Sequence, residues 1–300
     1  MNRQHENSKS NKVIILFGDS LTQLGYGGGA VDADDNNDHG SCNNNRNDNH
    51  NRNSKASKYT IGWISLLSST YARRADVLNR GYRGYNTNMA LSILPSVFPS
   101  PSPSKLLLLF VTIWFGANDA VLPTFQGKPN PRHVPVEKYG ENITTIIRHI
   151  RKSYDDGGGG ENNDDDDDAH TVKILVLTPP PVDPIKYMTH CIQTYGHNED
   201  SLARAQRSNT FVKLYVEQVK QVANESKCDV VDVYTLLEGH TNDPSIYTKY
   251  LVDGVHLTQE ANILVYEHLM KLLNTKYPTL APPNGVHVPF QEKEWNEYFQ

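Results

Sequence analysis

Only three cysteines occur in 300 residues, Cys42, Cys191 and Cys228, and none stands in a C-x-x-C spacing. Such a set cannot build a disulfide framework, fits a reducing compartment and argues against a structural zinc site. Long apolar runs are also scarce. The longest, 106–115, is about half of what a bilayer span requires, so it reads as a buried strand and the chain has no membrane span. The first twelve residues, MNRQHENSKSNK, are polar and lack the apolar stretch of a secretory signal. A soluble, cytoplasmic protein is the expectation, with the sequons at Asn142 and Asn224 as chance matches. No run rich in Lys and Arg stands out, so the electrostatic footprint of a nucleic-acid binder is missing.

Apolar residues make up 37% of the chain, a low share for its length, and the deficit is local. Residues 26–58 are crowded with Asn, Asp and Gly, 99–104 read PSPSPS, and 155–169 read DDGGGGENNDDDDDA. Without these, the first twelve residues and the last twenty, roughly 214 remain, ordinary for one α/β domain. The expected plan is a disordered N-terminus at 1–12, a single domain over 13–280 carrying three low-complexity inserts, and a tail at 281–300. The net charge of −5 is misleading in the same way. Residues 155–169 hold seven Asp and one Glu with no Lys or Arg, which leaves about +3 on the rest. That acidic run reads as a solvated loop rather than a binding device.

What is present is an alternation of short apolar runs with longer segments of helical period. Strands are expected at 13–17, 76–79, 106–115, 173–178 and 229–233. Helices are expected at 61–75, 85–97, 136–154, 199–225 and 258–273. The 136–154 segment puts Tyr139, Ile143, Ile146, Ile147 and Ile150 on one face. Five apolar strands separated by amphipathic helices imply an α/β fold with a parallel sheet covered on both faces. Ligands of such sheets sit beyond the carboxyl ends of the strands, so the segments following each strand are where chemistry is sought.

Directly after the first strand stands Gly18-Asp19-Ser20-Leu21-Thr22. Its serine is either a nucleophile at the crevice or a helix N-cap; Thr22 rules out the G-x-S-x-G elbow. After the second strand, NRGYRGYNT (79–87) places Gly81 and Gly84 three apart, for a ligand approach or a plain turn. After the third, Gly116-Ala117-Asn118-Asp119 offers a side-chain amide to the crevice or an Asx-turn. Before the last helix, Asp253-Gly254-Val255-His256 lets a carboxylate fold back on the imidazole Nδ1, leaving Nε2 as a base. Each block alone has a bland alternative. Together, in one sheet and in this order, they supply a nucleophile, a base and its orienter. They also supply three oxyanion donors: the N–H groups of Ser20 and Gly84 and the amide of Asn118. Asp19 is expected to hydrogen-bond behind the nucleophile rather than to take part in the chemistry.

These four blocks resemble the SGNH-hydrolase (GDSL-esterase) family. FGDSLTQ, NRGYRGYNT, WFGANDA, HVPVEKYGENI, LTPPPVD, DVVDVYTLLE and YLVDGVHLTQEAN are similar to its isoamyl acetate-hydrolysing esterase branch. The resemblance implies a three-layer α/β/α flavodoxin-like fold with a five-stranded parallel sheet, no metal and no organic cofactor. It implies Ser20 as nucleophile, Asp253 and His256 completing a catalytic triad, and Ser20, Gly84 and Asn118 as the oxyanion hole. The substrate expected is a small-molecule ester with a short acyl chain, such as an acetate. The same fold also serves lipases or lysophospholipases, carbohydrate deacetylases and acyltransferases, and the blocks do not separate these; an idle binding protein would not need all four. The tail carries Phe290, Trp295, Tyr298 and Phe299, and its part in covering the site or supporting a homodimer is left open.

Overall fold

The apolar run after Lys12 forms β1, Lys12–Gly18. Its side chains alternate between two cores, with Val13, Ile15 and Phe17 on one face and Ile14 and Leu16 on the other. Strands β2 (Asp76–Gly81), β3 (Leu107–Trp114), β4 (Lys173–Leu177) and β5 (Asp229–Val231) join it in one sheet. The strand order is β2-β1-β3-β4-β5, and every neighbouring pair is parallel. The computed structural model describes residues 12–27, 60–99, 107–154, 172–238 and 245–282. The N-terminal stretch, the three low-complexity inserts, Cys42 and the aromatic tail lie wholly or largely outside the described residues.

A parallel sheet needs a crossover after each strand, and helices supply it on both faces. Helices Thr87–Val97, Val136–Tyr154 and Asn209–Glu225 cover the Val13 face. Helices Trp63–Thr70 and Gln259–Lys276 cover the Ile14 face. Aromatic edges fill both layers: Phe17 meets Phe98 and Phe115, and Trp63 meets Trp114 at 5.7 Å between ring centres. The molecule is thus the expected three-layer α/β/α sandwich with the flavodoxin-like strand order.

Register decides where the site forms. Gly18 stands level with Gly81 of β2 and Trp114 of β3, so the loops after these strands leave the sheet side by side. The order reverses at β1, and the crevice of such a sheet opens there.

Helix limits differ from expectation in instructive ways. The single helix expected over 199–225 is two, Glu199–Arg204 and Asn209–Glu225. The break is held by tertiary bonds: Leu122 N–H donates to the Gln206 carbonyl, and the Asn209 amide exchanges two bonds with the Val182 main chain. Helix 61–75 shortens to Trp63–Thr70, ahead of a left-handed Arg73. An unexpected helix, Pro184–Tyr195, follows the proline run, with Asp183 as cap and Pro184 at its first position. Short helices at Val233–Glu238 and Ser245–Tyr250, and a small antiparallel pair of Thr124–Phe125 with Lys128–Pro129, were also unforeseen. Asn142 is buried and donates to Thr87 and Asn88, so its sequon is not open to modification in this fold.

Candidate active site

β1 stops at Gly18, and Asp19 turns the chain. Its Oδ1 accepts the Leu21 N–H at 2.9 Å, capping the four-residue helix Ser20–Gln23, while its own N–H donates to the Trp114 carbonyl of β3. Ser20 therefore sits at the head of the crevice, only 5% exposed. Its N–H has no hydrogen-bond acceptor among the described residues. Asn79 of β2 braces this turn from below, its Nδ2 donating to the Thr22 and Gln23 carbonyls.

The loop after β2 turns at Tyr82–Tyr85, with the Tyr85 N–H donating to the Tyr82 carbonyl. Gly84 takes the third position with φ of 80°, a backbone that a type II turn demands and glycine adopts freely. Nothing lies within 4 Å of where a Cβ would stand, so conformation rather than crowding calls for glycine. After β3, Asn118 is half-buried, and its Nδ2 donates to the Tyr85 carbonyl at 3.0 Å. One amide hydrogen is engaged there; the second remains. Gly84 and Asn118 border a small cavity of about 20 Å³, shared with Asn86, Met89, Val121, Arg132, Arg204 and Arg207.

The third contribution is the loop before the last helix. A bridge between Leu251 and Leu257 closes it. Within it Asp253 Oδ1 accepts the N–H groups of Val255 and His256 at 2.9 and 2.8 Å. The other carboxylate oxygen lies 2.5 Å from His256 Nδ1, and His256 Nε2 lies 2.8 Å from Ser20 Oγ. Both residues are nearly enclosed, 4% and 8% exposed. The sequence-predicted Ser20, Asp253 and His256 are thus brought into one hydrogen-bonded row. Gly84 and Asn118 come from the two neighbouring loops.

Electrostatics follow from this packing. Burial works against the Asp253 charge, but the His256 ring and the two main-chain N–H groups override it and hold the carboxyl well below its usual range. Asp19 behaves oppositely. Burial pushes it up to about 7, and the Asp119 charge adds to the rise against the Leu21 N–H and Arg207. Burial also pushes Asp119 up to about 6, against two bonds from Thr87. Each of these two carboxyls leaves one buried oxygen without a partner among the described residues.

Three residues near the site escaped the sequence reading. Asn79 gave no signal beyond its place in NRGYRGYNT. His190, on the unforeseen helix Pro184–Tyr195, places Nε2 3.6 Å from Asp253 Oδ2. Arg207 falls inside the expected 199–225 helix, where helical periodicity gives it no separate signal. Among the described residues, no group of three or more His, Cys, Asp or Glu side chains could hold a metal ion. No helix among them is long and apolar enough to cross a membrane.

Residues 16–262 match the GDSL-like lipase/acylhydrolase family. A GDSL esterase/lipase of Arabidopsis thaliana is 32% identical over 260 residues, spanning 86% of this chain and 84% of the relative. The isoamyl acetate-hydrolyzing esterase 1 homolog of Mus musculus is 29% identical over 268 residues, spanning 89% and 83%. In fold, the crystal structure of a lipase/acylhydrolase from Enterococcus faecalis superposes with a TM-score of 0.53 at 21% identity, covering 88% of this chain and 96% of that one. A carbohydrate acetylesterase family member from Sinorhizobium meliloti gives 0.50 at 20% identity, covering 88% and 98%. The chain belongs to the GDSL-like lipase/acylhydrolase family and is an ester-bond hydrolase.

Proposed function

We propose that the chain hydrolyses short-chain carboxylic esters, acetates foremost, with Ser20 as nucleophile, His256 as base and Asp253 as its orienter. The observation that carries this reading is the row from Ser20 Oγ through the His256 ring to Asp253, with contacts of 2.8 and 2.5 Å. Asp253 accepts from Nδ1, so the neutral ring presents the Nε2 lone pair to the serine hydroxyl. Ser20 Oγ attacks the ester carbonyl as His256 takes its proton. The oxyanion is received by the Ser20 and Gly84 N–H groups and the free hydrogen of the Asn118 amide. His256 then protonates the departing alcohol, and water repeats the sequence on the acyl-serine to release the acid.

One observation supports a short acyl chain: the Mus musculus relative is named for an acetate ester.

The test is an acyl-chain series of p-nitrophenyl esters from acetate to palmitate, with Ser20→Ala as the blank. The reading predicts kcat/KM highest at acetate or butyrate and falling steeply beyond. A maximum at long chains would move the substrate to lipids. Failure on all lengths would overturn the reading.

A further inference from the structure

We propose that Arg207 is a positioning residue: its buried guanidinium fixes which way the Asn118 amide points, so that Nδ2 faces the oxyanion. This rests on the oxyanion role of Asn118 given above.

Arg207 lies in the break between helices Glu199–Arg204 and Asn209–Glu225, and it is only 5% exposed. Its Nη1 donates to the Ala117 carbonyl, and Nη2 lies 3.5 Å from Asn118 Oδ1. The guanidinium carbon sits 4.8 Å from the centre of the Tyr187 ring, which covers it. Among the described residues no carboxylate comes within 4.0 Å of this cation, and its buried Nε–H has no partner.

The chemistry of the two groups fixes the orientation. A guanidinium has donors and no acceptor, so the Asn118 atom turned to it must be the carbonyl oxygen. On the opposite side the Tyr85 carbonyl can only accept, so it takes the amide nitrogen at 3.0 Å. Rotating the amide by half a turn would set NH₂ against guanidinium and oxygen against oxygen. Arg207 and Tyr85 therefore lock one rotamer face from two sides, and the second amide hydrogen is left for the crevice. Burying a cation without a carboxylate is costly. Here its field points along the Asn118 carbonyl, polarises that amide and strengthens the donor at its other end. The same field opposes the burial-driven rise of Asp19 behind the nucleophile.

A double-mutant cycle on p-nitrophenyl acetate tests this, using Arg207→Met, Asn118→Ala and the pair. Arg207→Met is expected to lower kcat by about 10- to 100-fold with KM nearly unchanged, and Asn118→Ala by about 10²–10³-fold. Because Arg207 acts through Asn118, the double variant should be no slower than Asn118→Ala alone. Losses that multiply would overturn the positioning role while leaving Asn118 as a donor. Wild-type kcat in Asn118→Ala would overturn the oxyanion assignment, and with it the need for positioning. Should Arg207→Met fail to fold, Arg207→Lys, which keeps the charge and loses the planar fork, runs through the same cycle with the same criterion.

Discussion

His190 Nε2 stands 3.6 Å from Asp253 Oδ2, the oxygen that His256 Nδ1 approaches to 2.5 Å. Two imidazoles thus share one carboxylate, but only the shorter contact is a hydrogen bond. Burial lowers the pKa of His190, with the Asp253 charge pulling against it. His190 is a neighbour of the row rather than a member. His190→Ala should change kcat less than about tenfold, whereas Asp253→Asn should reduce it by about 10⁴-fold through the wrong imidazole tautomer. Steady-state kinetics of the two variants side by side checks this; comparable losses would make His190 part of the proton path.

The buried Asp19 makes stability depend on pH. Its carboxyl titrates near 7 in the folded state and near 4 when unfolded. Between those values the folded state binds more protons, so this group's contribution falls as pH rises from about 4 to about 7. Asp253 has the opposite sign: its depressed carboxyl adds stability above about 4 that is lost as pH falls further. Calorimetry of wild type and Asp19→Asn at pH 5 and 8 separates the terms. The Asn variant should gain on wild type as pH rises; an equal Tm difference at both pH values would contradict the raised carboxyl.

Two glycines of NRGYRGYNT should respond differently to alanine. At Gly84 an added Cβ meets nothing, but the backbone has φ of 80°, so the cost is about 1–2 kcal/mol of strain. At Gly81 the Cβ would lie 2.0 Å from the Gln23 nitrogen, on the turn that carries Ser20. Gly81→Ala should displace that turn and cost about 10²-fold in kcat, with Gly84→Ala retaining a folded protein of slightly lower Tm. Thermal melts paired with kinetics decide; an active Gly81→Ala would show that the nucleophile turn tolerates the shift.

The sheet was legible where a strand is a short apolar run buried on both faces, as in VIILF at 13–17, while the edge strand Asp76–Gly81 is only partly buried. The site was legible for a related reason. Ser20, Gly84 and Asn118 each follow a strand end within a few residues, and parallel register brings those ends together. Asp253 and His256 are close in sequence and needed only a local fold-back. Arg207 and His190 were hidden by long-range causes. The break that turns Arg207 inward depends on Asn209 meeting Val182 and Gln206 meeting Leu122, contacts that helical periodicity does not encode. The helix carrying His190 begins three residues after the prolines that end strand β4, at Pro184, where a helix tolerates proline.

Acylation of Ser20 Oγ is read out by reaction with a serine-directed phosphonate. One adduct per chain is expected, located on the peptide containing Ser20, with esterase activity lost in step with labelling and neither adduct nor turnover in Ser20→Ala. Labelling at another residue, or wild-type turnover by the Ser20→Ala protein, would contradict it.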